Sequence, residues 1–118
     1  MAVTRILAQM TVVNLASAVT WYSRLFGREP DAAPMDGLFE WHLANNFGVQ
    51  VWAEAERAGQ STMVLDESDL DAFVEHLNQV GILHPDPLDA TSTRILPLVD
   101  PDGNRVVITG PFRSKPGI

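Results

Sequence analysis

Asp100-Pro101-Asp102-Gly103-Asn104 stands between two β-rich runs, Ile95 to Val99 and Arg105 to Thr109. Pro101 fixes φ for a turn, Asp102-Gly103 supplies a position that tolerates positive φ, and Asn104 is expected to cap the turn with its side chain. Alone, the stretch reads as a tight hairpin between two buried strands, with no chemistry attached. Its larger meaning comes from what precedes it, a strand-helix pattern that occurs twice.

Working back from the hairpin, Thr91 to Val99 is its first arm, and His84 to Leu88, with two prolines, reads as loop. Ser61 to Leu65 predicts a strand, followed by a helix capped by Asp66 or Ser68. Ser68 with Asp71 three residues on has capping-box spacing. Leu70, Phe73, Val74 and Leu77 form that helix's apolar stripe, and Gly81 stops it. Glu54 to Gly59 is a charged connector without hydrophobic period. The same order precedes it. Val3 to Val13 is a strand with Ile6, Ala8, Met10 and Val12 on an apolar face and Arg5, Leu7, Gln9 and Thr11 on the other. Asn14 caps a helix from Leu15 to Phe26 that Gly27 ends, with Leu15, Val19, Tyr22 and Phe26 buried and Ser23 and Arg24 outward. Arg28 to Pro34 is irregular, an edge strand at most. Leu38 to Leu43 alternates, with Phe39, Trp41 and Leu43 opposite Leu38, Glu40 and His42. Ala44-Asn45-Asn46 turns the chain, and Phe47 to Ala53 returns.

The expected order is therefore strand, helix, then two or three strands, written twice about 55 residues apart, in one domain over 1–118. Module one covers about 3–54 and module two about 60–110, with a loose tail at 111–118. A single chain of this length can bury a substantial core. No apolar run reaches the roughly 20 residues that span a bilayer, and no signal-peptide layout opens the chain, so a cytoplasmic protein is expected, with no membrane partner. The net charge of −7 disfavours nucleic acid as a partner. Without cysteine there is no thiolate nucleophile and no Cys-based metal site. The single lysine, Lys115, lies in the tail, away from any core chemistry.

Three local patterns resemble one family. Val12-Val13-Asn14-Leu15, followed by Trp21-Tyr22 and Phe26-Gly27, looks like the opening strand and helix of the vicinal oxygen chelate superfamily. Asp69-Leu70-Asp71-Ala72 looks like the start of its second helix, and Asp100 to Asn104 like its terminal hairpin. The superfamily includes glyoxalase I, bleomycin resistance proteins and extradiol dioxygenases. The resemblance covers about Thr4 to Thr109 and implies an α+β fold, two βαβββ modules forming curved mixed sheets around a cavity, commonly completed in a homodimer.

In the family's metalloenzymes, four strands each contribute one ligand. Carried onto this sequence, those positions fall at Leu7, about Gln50, Thr62 and Val107. Leu and Val offer no donor atom, and Gln and Thr only weak neutral ones. No metal and no other cofactor is expected. Gln9, Glu40, His42 and Gln50 fall on the same faces, but an improvised site there has only two good ligands, His42 and Glu40. The expected ligand pocket comprises Leu7, Gln9, Glu40, His42, Gln50, Trp52, Thr62 and Val107. Trp52 would stack on a flat ligand or fill volume, and Glu40 would meet a positive charge. Trp41 is read as core, His76 and His84 as exposed bystanders, and Arg94 and Arg105 as exposed strand-end residues. Three readings follow. The first is a metal-free protein that binds or sequesters an aromatic or cationic small molecule. The second is an enzyme of the same superfamily (lyase, isomerase or dioxygenase) with a non-standard site, either an improvised metal or His42 or Glu40 as base, its catalytic residue unassigned. The third is a dimeric accessory module with a vestigial cavity.

Overall fold

The structure is a computed structural model that describes residues 1–112; Lys115 and most of the tail lie outside the described residues. Each half of the chain makes one helix and a four-stranded mixed sheet. In the first half these are β1 (Ile6–Val12), α1 (Leu15–Phe26), β2 (Ala32–Met35), β3 (Leu38–His42) and β4 (Phe47–Ala53). A 3-10 turn at Ala55–Arg57 leads to the second half: β5 (Thr62–Asp66), α2 (Leu70–Val80), β6 (Leu88–Asp89), β7 (Arg94–Val99) and β8 (Arg105–Gly110). Sheet one runs β1-β4-β3-β2 and sheet two β5-β8-β7-β6. In both, the first strand pairs parallel with the last and the remaining pairs are antiparallel. The order β-α-β-β-β therefore occurs twice with one topology.

Local chemistry fixes the helix ends. Asn14 Oδ1 accepts the Ser17 N–H at 3.0 Å, and α1 closes at Gly27 in the left-handed region, φ 71°. For α2 the cap is Asp69, whose carboxylate accepts the Ala72 N–H at 3.0 Å. This replaces the expected Ser68 or Asp66. The helix begins at Leu70, so Asp69 is the residue placed to satisfy its third N–H, while Asp66 instead accepts from the Thr109 hydroxyl.

Met10 and Val12 of β1, Trp41 of β3, Val49 and Val51 of β4, and Leu96, Leu98, Val106 and Ile108 of the closing hairpin all turn toward the helices. They join Ala18, Tyr22 and Leu25 of α1 and Leu70 and Leu77 of α2 in one continuous core. The buried stripe of α1 is centred on Ala18, Tyr22 and Leu25, one position round from expectation, with Leu15, Val19 and Phe26 at its margins. Ser23 consequently sits half-buried, its hydroxyl without a hydrogen-bond partner among the described residues, rather than outward.

The two halves are fastened at the Asp100–Asn104 turn. One oxygen of the buried Asp100 carboxylate accepts the N–H groups of Asp102 and Asn104, both at 2.9 Å. The other accepts the Tyr22 hydroxyl from α1 and Asn104 Nδ2, both at 2.8 Å. Asp100 is therefore the turn's cap. Asn104, expected in that role, reaches the first half instead: its Nδ2 donates to the Thr11 carbonyl at 2.8 Å and its Oδ1 accepts the Ser61 N–H at 2.8 Å. Burial pushes the Tyr22 phenol far up from its ordinary value, and the Asp100 charge pushes it further, so it stays a neutral donor. Gly59 closes the same junction. It sits at φ 81° with its N–H on the Thr11 carbonyl, and a Cβ there would come within 2.4 Å of the Asp102 carbonyl oxygen.

Other long-range contacts also depart from expectation. His76 is no bystander: its Nε2 lies 2.8 Å from the Arg24 carbonyl at the end of α1, tying the two helices together. His84 bonds to Asn78 Oδ1 at 2.6 Å. Arg94 is buried, paired with Asp71 at 3.0 Å and donating to the Pro111 carbonyl, whereas Arg105 is exposed.

Replacing Asn104 by Ala strands the Thr11 carbonyl and the Ser61 N–H together, and should cost about 2–4 kcal/mol in urea unfolding. Tyr22→Phe leaves Asp100 its other three donors and should cost about 1–2 kcal/mol. An Asn104→Ala variant within about 0.5 kcal/mol of the parent would show that the turn does not hold the halves together.

Candidate functional site

The helix-free face of sheet one gathers the expected first-half residues by register alone. Gln9 stands opposite Gln50, and Gln50 opposite Glu40. On one side of this row lie Leu7, Gly48 and His42; on the other, Thr11, Trp52 and Leu38. Alternation puts all of them on the face turned away from α1.

Gln9, Gln50, Glu40 and His42 form one hydrogen-bonded row. Gln9 Nε2 donates to Gln50 Oε1 at 3.0 Å, and Gln50 Nε2 donates to Glu40 Oε2 at 2.5 Å. His42 Nε2 lies 3.0 Å from Glu40 Oε1. Glu40 is only 6% exposed. Its hydrogen bonds from His42 and then Gln50 outweigh desolvation and hold the carboxyl below its usual range, so it is ionised at neutral pH. The row thus carries a buried negative charge, fully hydrogen-bonded from its own sheet, with the half-exposed imidazole as its outer end.

The backbone of His42 is clamped from the segment after α1. Its N–H donates to Asp31 Oδ2 at 2.6 Å, and Arg28 donates to its carbonyl while pairing with Asp31 at 2.8 Å. The His42 N–H, helped by Arg28, holds the Asp31 carboxyl below the ordinary range. Sequence reasoning passed over Arg28 and Asp31; their three-residue spacing was visible, but nothing local linked them to His42. Trp52 is half-buried beside the row, its indole N–H donating to Glu54 Oε2 at 3.1 Å. It keeps a ring at the edge of the face, whereas Trp41 is fully buried beneath the sheet, its N–H on the Arg28 carbonyl.

The second-half residues are on the corresponding face of sheet two. Thr62 is exposed opposite Arg105, and Val107 is half-buried between Val64 and Pro97. No hydrogen bond among the described residues joins either to the Gln9–His42 row. The four positions to which the resemblance assigns metal ligands do not fit a metal here. Leu7 and Val107 have no donor atom, and both amide ends of Gln50 are engaged by Gln9 and Glu40. Among the described residues no three His, Cys, Asp or Glu side chains come together as a metal site.

A separate cavity of about 850 Å³ opens on the helix side, where β1 and β5 diverge. Leu25, Phe26, Val49, Met63, Phe73 and Ile108 give it an apolar wall, with Asp66, Glu67 and His76 among its polar lining. None of the eight expected pocket residues lines it. It is a space between halves, and the polar row is a surface on one of them.

Comparison with solved structures identifies the architecture. A glyoxalase/bleomycin resistance protein from Catenulispora acidiphila matches with a TM-score of 0.84 and 25% identity over 90% of this chain and 96% of that one. An antibiotic-binding protein from Streptomyces sp. CB03234 matches at 0.77 and 21%, covering 95% and 99%. A bleomycin resistance determinant encoded on the transposon Tn5 matches at 0.75 and 19%, covering 92% and 98%. No family model and no curated protein sequence matches the chain. The structural likeness supports placing the chain in the vicinal oxygen chelate superfamily, with the βαβββ unit present twice.

The lowered Glu40 fixes the sign of an acid dependence. A carboxyl whose folded value lies below its unfolded one contributes stability above the unfolded value, and loses it as pH falls through the folded value. Replacing Glu40 by Gln should therefore flatten the acid limb of a plot of urea midpoint against pH, below about pH 5. An acid limb identical in slope to the parent's would contradict the assignment.

Proposed function

We propose that this chain is a metal-free binding protein that holds an aromatic or cationic small molecule on the helix-free face of sheet one. The observation that carries the reading is the hydrogen-bonded row from Gln9 to His42, with the buried Glu40 charge at its centre and the Trp52 ring beside it. A flat, positively charged ligand gains stacking from Trp52 and Coulomb attraction from Glu40. The antibiotic-binding and bleomycin-resistance neighbours support a binding role within this fold. Glu40 has both oxygens engaged by Gln50 and His42, so in this reading it supplies charge and orientation rather than abstracting a proton itself.

The site is completed, in this reading, by a second copy of the chain. Val64, Leu88 and Val99 lie on the outward face of sheet two and are each more than half exposed. With Val107, Pro97 and Ile95 they make an apolar sheet face of the kind that oligomers cover. Thr62 and Val107 join the pocket from that side. Among the described residues no helix is long and apolar enough to cross a membrane; the setting we propose is the cytoplasm.

Two measurements test this. Elemental analysis of untagged protein, before and after loading with nickel, zinc, manganese and iron(II), should find no stoichiometric metal; one metal per chain would return the site to metalloenzyme chemistry. Light scattering on the eluting protein should give twice the chain mass. Val64→Asp should shift it toward the monomer, and a monomeric parent would remove the proposed second copy.

A further inference from the structure

The polarity of the Gln9–His42 row determines which atom is offered to a ligand. An ionised carboxylate only accepts hydrogen bonds. Glu40 Oε2 therefore faces the Gln50 NH2 group, which turns Gln50 Oε1 toward the NH2 of Gln9. By the same constraint Glu40 Oε1, 3.0 Å from His42 Nε2, requires the hydrogen on Nε2. A neutral imidazole has one N–H, so Nδ1 is left as a bare lone pair. No hydrogen-bond partner of Nδ1 is found among the described residues, and the side chain is 37% exposed. The Arg28–Asp31 clamp holds the His42 backbone, and the Glu40 contact orients the ring and with it that lone pair.

We propose that His42 Nδ1, held in this tautomer by Glu40, is the ligand's hydrogen-bond acceptor. The site accordingly selects molecules that present an N–H or O–H donor beside a flat ring, and releases them when the imidazole gains its second proton. This rests on the ligand site proposed above and names the chemistry that site reads. Protonation reverses both features of the site: Nδ1 becomes a donor, and His42⁺ cancels the Glu40 charge that attracts a cation. The other charged groups around His42 are Arg28 and Asp31 on its backbone, with Arg5 acting on Glu40. Arg28 is a permanent cation, as is Arg5, and Asp31 like Glu40 is held below the ordinary carboxylate range. Among these groups the imidazole is the one whose protonation reverses what the site offers a ligand.

The test uses the full chain labelled with ¹⁵N and benzamidine as the probe, a flat ring with an amidinium that stays charged from about pH 5 to 8, the range of histidine titration. Long-range ¹H–¹⁵N correlation should show His42 with the hydrogen on Nε2 and a bare Nδ1 at the upper pH, assigned with His42→Gln. Glu40→Gln should release the tautomer into a mixture. Benzamidine should shift the Nδ1 resonance, and its affinity should fall roughly tenfold or more toward the lower pH, the scale of one charge-assisted hydrogen bond. A hydrogen on Nδ1 in the free protein overturns the proposal, as does an unchanged tautomer in Glu40→Gln. So does benzamidine binding on this face with the same affinity at both pH values. Should benzamidine perturb none of Trp52, Gln50 and His42, the aromatic-cation reading of the site fails, while the tautomer measurement still decides the role of His42.

Discussion

The Asp100 carboxylate is the interaction on which the arrangement of the two halves rests. A buried charge is costly unless its lone pairs are all used, and here four donors use them: two backbone N–H groups of its own turn, the Asn104 amide, and the Tyr22 hydroxyl from the other half. Satisfying Asp100 therefore requires the first helix to lie over the closing hairpin. Asn104, oriented by that carboxylate, completes the junction on the Thr11 carbonyl and the Ser61 N–H. A turn motif that closes one hairpin thus also joins β1 to the start of β5, and the two sheets take their relative position from it.

Glu40 is the instructive contrast. It too is a buried, ionised carboxylate, but its donors come from side chains of its own sheet, and one of them is the half-exposed His42. Asp100 is sealed by what surrounds it, whereas the influence of Glu40 passes through an imidazole to the open face. The same physical demand, that a buried carboxylate be hydrogen-bonded, serves architecture in one place and presentation of a polar surface in the other. Leu7, Gln50, Thr62 and Val107, the positions to which the resemblance assigns metal ligands, offer neither a carboxylate nor an imidazole.

Much of the fold was legible because its signals are local. Asn14 and Gly27 bound α1, Gly81 ends α2, and period-two alternation sorted Glu40 and His42 from Trp41 without reference to the rest of the chain. The repetition of the pattern, together with the family resemblance, supplied the βαβββ order of each half, while the pairing of the strands came from the structure. What sequence reading missed depends on partners far along the chain: Asn104 reaching Thr11, His76 meeting the end of α1, Arg94 buried by Asp71, and Arg28 with Asp31 gripping His42. Each residue type is ordinarily exposed and unattached, and only a contact far along the chain gives it a structural role. The candidate row falls between these cases. Alternation placed its members on one face, but the direction of its hydrogen bonds follows from the register of β1, β4 and β3. The Ser68 cap failed for a smaller reason, a helix start one residue later than the capping-box spacing implied.

Two places compete to hold a ligand: the polar face of sheet one, and the apolar cavity on the helix side between Phe26 and Phe73. The account favours the first because it combines charge, oriented hydrogen-bonding groups and a ring, which are what give a small-molecule site its selectivity. A crystal structure of the full chain soaked with an aromatic amidine decides between them most directly. The account predicts density over Trp52 with the amidine at His42 and Glu40. Density confined to the cavity lined by Phe26, Met63 and Phe73, with the sheet face empty, would contradict it.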